Sequence, residues 1–386
     1  MRFSGWPQGS SILNGLFQCR HFARLVRVFP PEALSWLHGK LVSRLQHGRG
    51  PERRRWKGLR LIAADKTNLA LPESQILWKS FGAHGGSRGL GPVAIELCCL
   101  FDVISRAPLR FVYGRASTSE HRLLPKLISY LKKGDLLLFD AGFYSFATLA
   151  KVTGRAVQFI IPAKKDFRPE VLRKLGDSDY LCRIKEYRSN KTITVRVVFV
   201  HRDGFRRRRL ITSLLDPVEF PASDLALLYH LRWDIETFYK DFKCSLGATR
   251  WHCKTPETFQ RELLMHMIVC CLIRIAMLSA CRQVGLSVGQ LSFTRALTET
   301  RLLLKTVLAA AESWTILWAS YIQCCAKFQM KYKPNRQYSR DRQEYRRKSR
   351  GLERRRNKTG RKYQKPSPPP SPETRNNAKG QVILLS

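Results

Sequence analysis

Short apolar runs alternate with amphipathic segments in the first half of the chain, and this alternation predicts an α/β fold. The run Leu136–Phe139 is continuously apolar, which is typical of a strand buried on both faces. Between residues 119 and 132 the leucines instead recur with helical spacing, and Ser119 stands where it can cap that helix. The runs that predict strands span residues 59–65, 93–102, 109–113, 136–139 and 157–161, with a further helix near 146–152.

The order of these elements is strand, strand, strand, helix, strand, helix, strand. Three antiparallel strands followed by right-handed helical crossovers predict a mixed five-stranded sheet with helices on its faces. In this sheet the first and fourth strands are neighbours. The residues that follow the apolar parts of these two strands are therefore expected to lie close together.

Patterns in the rest of the chain predict further elements around this core. Alternating segments between residues 164 and 222 predict a small β insertion, and a strong helix is expected at about 224–244. The most apolar stretch, 263–281, contains His266 and Arg274, so it predicts a buried helix rather than a membrane span. We expect a short helical basic N-terminal region that recognises DNA ends at 1–58, the core at 59–163, the insertion at 164–222, the completing helix at 223–250, a helical C-terminal region at 251–330 and a basic tail at 331–386.

The net charge of the chain indicates the class of its partner. Lys and Arg number 69 against 29 Asp and Glu, which gives a formal net charge of +40. Such an excess repels itself unless a polyanion is present, so nucleic acid is the first partner to consider. The tail is the extreme case, because residues 331–362 contain 15 Lys and Arg and a Pro-rich segment follows. This composition predicts a disordered segment. The segment serves either as a solubility tail or in DNA binding, and its interleaved tyrosines favour DNA binding.

Cysteine usage and the first residues bear on the compartment. The eleven cysteines include three adjacent pairs within apolar runs, and no Cys-x-x-Cys spacing occurs. Buried reduced thiols are therefore expected, and the start of the chain has no apolar signal segment. These observations predict a cytoplasmic protein with no membrane partner, associated with the nucleoid when DNA is bound.

One face of the helix at 224–244 combines aromatic, cationic and acidic side chains. At roughly 100° per residue, one acidic side chain shares this stripe with cations and two aromatics. The alternative is a solvated face in which Glu236 pairs with Lys240 one turn away. The members of the stripe are Tyr229, Arg232, Trp233, Glu236, Lys240 and Lys243.

Two aspartates follow apolar strand segments. Asp65 ends the first strand and Asp140 ends the fourth. Each alone is typical of a turn, but neighbouring strands lie roughly 4.8 Å apart and bring the two carboxylates together. Mg²⁺ prefers such hard oxygen ligands, and a third carboxylate from a crossing helix would complete a two-metal site.

The same residues carry a resemblance to a known family. The spacing Tyr-x2-Arg-x3-Glu-x6-Lys at residues 229, 232, 236 and 243 resembles the YREK signature of DDE insertion-sequence transposases of the IS-four type. The segments 64–67 (Ala-Asp-Lys-Thr) and 140–144 (Asp-Ala-Gly-Phe-Tyr) look like that family's two Asp motifs. The resemblance covers roughly residues 59–340.

This resemblance implies a function. It implies an RNase H-like core interrupted by a β insertion, with Mg²⁺ (Mn²⁺ as a substitute) held by Asp65, Asp140 and Glu236. Tyr229, Arg232 and Lys243 would hold phosphates of double-stranded DNA, at transposon ends and target. Metal-dependent cleavage and strand transfer would follow, and the joining of two ends predicts a homodimer on DNA. The alternatives are an RNase H-like nuclease without strand transfer and a non-catalytic, domesticated DNA-binding protein.

Two further segments are predicted to be loops, one rich in arginine and one rich in glycine. Arg207 and Arg208 lie in a run of four arginines at a predicted hairpin tip of the insertion, where they either contact DNA or remain solvated. The glycine-rich stretch 82–89 lacks the Gly-Lys-Ser/Thr ending of a phosphate loop, so it predicts a flexible connection between strands.

Overall fold

The computed structural model describes residues 29–46, 55–86, 89–186, 189–200, 208–309, 314–330 and 383–385. All of them belong to one compact unit. The helices are α1 Pro31–Gln46, α2 Gln75–Phe81, α3 Glu120–Ile128, α4 Phe146–Thr153, α5 Ala222–Leu231, α6 Trp233–Lys240, α7 Pro256–Val284, α8 Phe293–Ala309 and α9 Trp314–Lys327. The strands are β1 Arg60–Ala70, β2 Ala83–Gly86, β3 Gly89–Asp102, β4 Ala107–Arg115, β5 Asp135–Phe139, β6 Gln158–Pro162, β7 Glu170–Gly176, β8 Asp179–Lys185, β9 Thr192–Val200, β10 Arg208–Thr212 and β11 Ile383–Leu385.

The five strands of the predicted core lie side by side in the order β4-β3-β1-β5-β6. Strands β1, β3 and β4 pair antiparallel, and β1, β5 and β6 pair parallel. The mixed sheet expected from the order of elements is therefore confirmed. The first strand, β1, lies beside the fourth, β5, as the topology predicted.

The insertion continues this sheet instead of forming a separate one. Strand β10 pairs antiparallel with β6, and β9, β8 and β7 follow in order towards the edge. Strand β7 was not predicted. Its residues are mostly exposed and show no alternation of buried and exposed positions, so the pattern of apolar residues predicts no strand there.

The glycine-rich segment differs from its prediction as a flexible loop. Residues Ala83–Gly86 form β2, which pairs antiparallel with the start of β3, and Gly86 lies opposite Gly89. Gly82 ends α2 with φ 69°, a left-handed conformation that glycine adopts without a steric penalty. The pattern missed this hairpin because glycines carry no side-chain periodicity.

Two apolar layers cover the sheet. On one face α5, α6, α7 and α2 pack against residues such as Leu61 and Ala63, and on the other α3 and α4 pack against Ile62 and Ala64. Helix α7 is the described helix that is long and apolar enough to cross a membrane, but two thirds of its apolar window is buried in the protein. The prediction of a buried helix at 263–281 is confirmed, and α8 and α9 extend the helical C-terminal region.

The ends of the chain are described only in part. Helix α1 packs against α7 and agrees with the helical N-terminal prediction, while residues 1–28 lie outside the described residues. The predicted disorder of the basic tail also falls mostly outside them. Its residues Ile383–Leu385 form β11, an unpredicted strand that pairs antiparallel with β4 at the sheet edge.

Candidate active site

Asp65 and Asp140 lie side by side on neighbouring strands. Ala64 of β1 is the register partner of Phe139 of β5, so the next residue of each strand is an aspartate. Asp65 lies within β1, which continues to Ala70, and not at its end as predicted. Asp140 follows β5 and caps the short 3₁₀ turn Ala141–Phe143, where its carboxylate accepts a hydrogen bond from the Gly142 amide.

A nearly continuous helical segment crosses this edge of the sheet. Helices α5 and α6 meet at Arg232, which has helical dihedral angles (φ −52°, ψ −32°), and hydrogen bonds to Tyr229 and from Ile235 tighten this turn. A π-helical turn at Asp241–Ser245 ends the segment. The predicted helix at 224–244 is present, with two local irregularities that its apolar spacing did not reveal.

Packing and ion pairs hold this segment against the sheet. Ile235, Phe238 and Phe242 are fully buried, and the Phe238 ring lies 5.3 Å from that of Phe101 on β3. Tyr239 donates a hydrogen bond of 2.7 Å to the Asp65 carbonyl oxygen. Two acids that face away from the polar stripe also form anchors, in the pairs Asp234–Arg106 and Asp241–Arg274.

Arg232 connects the helix to the first strand. Its Nη2 lies 3.0 Å from Glu236 Oε1 and its Nη1 lies 3.6 Å from Asp65 Oδ2. The guanidinium is buried, whereas the Glu236 side chain is 41% exposed. The ion pair that the structure gives Glu236 is therefore with Arg232, one turn before it, and not the alternative pair with Lys240.

Burial and neighbouring charges shift the pKa values of Asp65 and Arg232. Burial raises the pKa of Asp65 to about 6, the Asp140 and Glu236 charges act in the same direction, and the Lys66 amide and Arg232 oppose them. Burial alone would lower the pKa of Arg232, but Tyr229, Asp65 and Glu236 raise it above its usual value. The Asp140 and Glu236 carboxylates thus lie close enough to Asp65 to influence its pKa.

The other members of the polar stripe differ in exposure. Trp233 and Lys240 are exposed as predicted, and Lys243 is half-buried in the π turn, where burial lowers its pKa. Tyr229 is buried and not on an exposed face, because the helix packs its ring into the apolar layer. Burial raises the Tyr229 pKa to about 12.

Of the two predicted arginines of the insertion, Arg208 lies near enough to Tyr229 for its charge to oppose the rise in the Tyr229 pKa. Arg208 is exposed at the first position of β10, and Arg207 lies outside the described residues.

One neighbour of Asp140 was not anticipated. A Cβ on Gly142 would overlap a carboxylate oxygen of Glu120 and lie 3.0 Å from Asp140 Oδ1, so Glu120 lies beside Asp140. Lys66 lies 3.8 Å from Glu120 and 3.3 Å from the buried Glu96. The position of Glu120 at the start of α3 was visible in the sequence, but no spacing connected it to the turn after β5.

The donor chemistry suits a divalent cation, since Asp65, Asp140 and Glu236 offer hard carboxylate oxygens. Their present arrangement is not closed around an ion. Among the residues that the structure describes, no group of three or more His, Cys, Asp or Glu side chains is gathered closely enough to hold a metal. The Arg232 guanidinium instead links two of the three carboxylates.

Comparison with protein families identifies the family of the chain. A family model described as "Transposase DDE domain" matches residues 56–272, which is more than half of the chain and includes β1, β5, α6 and the insertion. The chain belongs to the DDE transposase domain family. Membership agrees with the resemblance inferred from the YREK spacing and the two Asp motifs.

Two further similarities accompany this family assignment. The chain is 28% identical over 271 residues to the transposase InsG for insertion sequence element IS4 of Escherichia coli (strain K12), covering 66% of this chain and 61% of that protein. The chain thus spans about three fifths of the length of this relative. A cryo-EM structure of the piggyBac transposase synaptic complex with hairpin DNA is similar with TM-score 0.40 and 10% identity, covering 73% of this chain and 59% of that one.

Proposed function

We propose that this DDE transposase family member cleaves DNA at the ends of a mobile element and joins the freed 3′-hydroxyls to target DNA. The observation that supports the proposal most is the placement of Asp65 and Asp140 on neighbouring parallel strands. Glu236 is presented to them by a helix that Tyr239 ties to β1. Metal-dependent phosphodiester chemistry needs oxygen donors that are held in a fixed geometry, and this rigid edge of the sheet supplies them.

Asp65, Asp140 and Glu236 are the residues that would hold Mg²⁺ or Mn²⁺ in this proposal. The bound metal would activate a water or a 3′-hydroxyl and stabilise the leaving oxygen. The protein's own contribution is positioning. Strand pairing fixes the two aspartates, and the buried face of α6 fixes the direction from which Glu236 approaches.

DNA phosphates would contact the cationic stripe on the same helix. Lys240 and Trp233 are exposed and available to a duplex, and Lys243 lies half-buried one turn further on. Arg232 adds a planar guanidinium that can bind two phosphate oxygens at once, and Tyr229 packs beside it. Arg207 and Arg208 would add contacts from the insertion, independently of the DNA sequence.

The partners proposed for this protein are the duplex ends of an element and a target duplex. The name of the similar InsG protein, a transposase for an insertion sequence, supports DNA as the substrate. Because two ends are joined in one reaction, we propose a homodimer when DNA is bound. The cytoplasm, with association to the nucleoid, remains the proposed location.

A cleavage and joining assay on a labelled duplex that carries the terminal repeat tests this function. In Mg²⁺ the wild-type protein should nick the end and join it to a target plasmid. Asp65→Asn, Asp140→Asn and Glu236→Gln should each lower the rate by orders of magnitude and leave DNA binding intact. Asp177→Asn is the matched control, because this aspartate is fully exposed in the turn between β7 and β8.

The outcomes separate the alternatives. Cleavage without any joined product would favour a nuclease, and binding without cleavage in Mg²⁺ or Mn²⁺ would favour a domesticated DNA-binding protein. An Asp140→Asn protein that cuts at the wild-type rate would remove Asp140 from the site.

A further inference from the structure

Arg232 combines two features that concern different partners. It is a proposed phosphate contact, yet its guanidinium lies between Asp65 and Glu236, two of the three proposed metal ligands. A guanidinium and a divalent cation compete for the same carboxylate oxygens. Among the described residues, the side chain that links Asp65 to Glu236 is therefore the cationic Arg232.

The link is incomplete as a set of hydrogen bonds. The Nη2 bond to Glu236 has ordinary length, but the Nη1 contact to Asp65, at 3.6 Å, is an ion pair too long for a hydrogen bond. The buried Nε atom of Arg232 has no hydrogen-bond partner among the described residues. A guanidinium with an unused donor at Nε can gain a further hydrogen bond from an anion that presents two oxygens to it.

A DNA phosphate is an anion of this kind. The guanidinium is buried, but it packs against the exposed Trp233 as well as the buried Tyr229, with ring centroids 5.3 and 5.9 Å from its carbon, so it lies next to the exposed part of the stripe. Lys240 on the same stripe is exposed and can attract the phosphate backbone to this edge. A phosphate that reaches the stripe therefore meets Arg232 at the carboxylates.

We propose that Arg232 is a positioning residue with two successive partners. Without DNA it links Asp65 to Glu236, and when DNA is bound a phosphate takes over the guanidinium and leaves both carboxylates to the metal. This inference rests on the proposed function and deepens it by coupling end binding to assembly of the metal site. Since binding linkage is reciprocal, metal should also strengthen the binding of DNA.

Binding of Mn²⁺ to the full chain, followed by the electron paramagnetic resonance signal of free Mn²⁺, tests this role without measuring activity. The probes are Mn²⁺ alone and Mn²⁺ with a duplex that carries the terminal repeat. Without DNA, Arg232→Gln should bind Mn²⁺ about tenfold more tightly than wild type, within the range usual for coupled sites. The duplex should then strengthen Mn²⁺ binding less in this variant than in the wild-type protein.

A matched control removes the general effect of one positive charge. Lys240→Gln loses the same charge from the exposed part of the same helix, and its DNA-free Mn²⁺ affinity should stay within about twofold of wild type, because solvent screens exposed charges. Asp65→Asn should lose the tight binding, which shows that the signal reports this site. Equal DNA-free affinities of Arg232→Gln and wild type would overturn the inference.

A second variant keeps the test decisive if Arg232→Gln does not fold. Arg232→Lys retains the charge, but its single ammonium cannot span two carboxylates as the planar guanidinium does. Its DNA-free Mn²⁺ affinity should be higher than that of wild type, and an affinity equal to wild type would overturn the inference. If the wild-type protein neither binds Mn²⁺ nor cleaves with DNA present, the proposed function fails as well. If it does both and the variants show no change, only the role of Arg232 fails.

Discussion

The hydroxyl of Tyr239 on α6 donates a hydrogen bond of 2.7 Å to the backbone carbonyl oxygen of Asp65 on β1. This bond joins the helix that carries Glu236 to the strand that carries Asp65. Tyr239→Phe keeps the ring and removes the bond, so it should cost about 1–2 kcal/mol of unfolding free energy. The cleavage rate should fall more than the affinity for DNA, because the distance between two carboxylates is loosened. Tyr180→Phe in β8 is the control, and equal cleavage rates for the two variants would contradict this role of Tyr239.

Glycine at position 142 gives the Glu120 carboxylate room beside Asp140. Gly142→Ala would place a methyl group against the Glu120 carboxylate and 3.0 Å from Asp140 Oδ1. We expect a loss of about 1–3 kcal/mol from this overpacking, together with slower cleavage. Shortening Glu120 to Ala in the same protein should restore part of both, since the obstacle is then removed. A double variant with additive losses in thermal unfolding would show that the two side chains do not meet.

His266 makes the stability of the protein depend on pH. Burial lowers its pKa to about 4 from the ordinary 6.5, so the folded protein favours the neutral ring. Protonation then favours the unfolded chain, and the contribution is complete above pH 6.5 and is lost as the pH falls towards 4. The loss should reach about 3 kcal/mol for this group. In denaturant titrations His266→Phe should flatten this part of the profile, whereas replacing the exposed His121 by Gln should leave it unchanged.

A buried ion pair holds the return from the insertion to α5. Arg196 is bound by both oxygens of Asp179, and its Nη1 donates to the carbonyl oxygens of Asp216 and Phe220. Arg196→Met should cost about 3–5 kcal/mol, because it leaves the Asp179 charge buried and unpaired. The exposed pair Arg183–Glu170 is the comparison, and Arg183→Met should cost less than about 1 kcal/mol. Similar losses in urea unfolding would contradict the assigned difference.

The basic tail is predicted to add affinity without sequence preference. Deleting residues 331–386 should weaken binding to end and random duplexes alike. The slope of log affinity against log salt should become shallower by about 0.9 per lost phosphate contact. Replacing the Lys and Arg of 331–362 by Gln, with 383–385 retained, separates this effect from the pairing of β11 with β4. Unchanged binding in both variants would leave the tail with a solubility role.

The positions of the site's main residues could be predicted from the sequence, because the apolar runs predict the strands and the order of the elements predicts which strands are neighbours. The order placed the strands of Asp65 and Asp140 side by side, and the register of Ala64 with Phe139 agrees. Helical spacing placed Glu236 and Arg232 on one face. It could not decide which cation Glu236 meets, since Arg232 and Lys240 both lie four residues away. Asp65, contributed by a strand distant in sequence, makes the Arg232 position favourable for a cation.

Other features depend on what packs against an element, which no periodicity encodes. Tyr229 shares the polar stripe by angle, but it is buried because the helix meets the sheet there. The proximity of Glu120 to Gly142 joins a helix start to a turn after a different strand. Strand β7 lacks alternation because most of its residues are exposed on both faces. Each of these features depends on how segments that are distant in the sequence pack together.

The pairing of β6 with β10 has a consequence for any attempt to reduce this protein to a minimal core. Removing the insertion would strip β6 of its antiparallel partner and leave its backbone amides and carbonyls facing water along the apolar Phe159–Ile161 segment. Such a strand is a template for addition of a strand from another molecule. A shortened protein would therefore tend to aggregate even with its carboxylates intact. Truncation is better aimed at the exposed outer strand β7, beyond which no further strand of the described sheet depends on pairing.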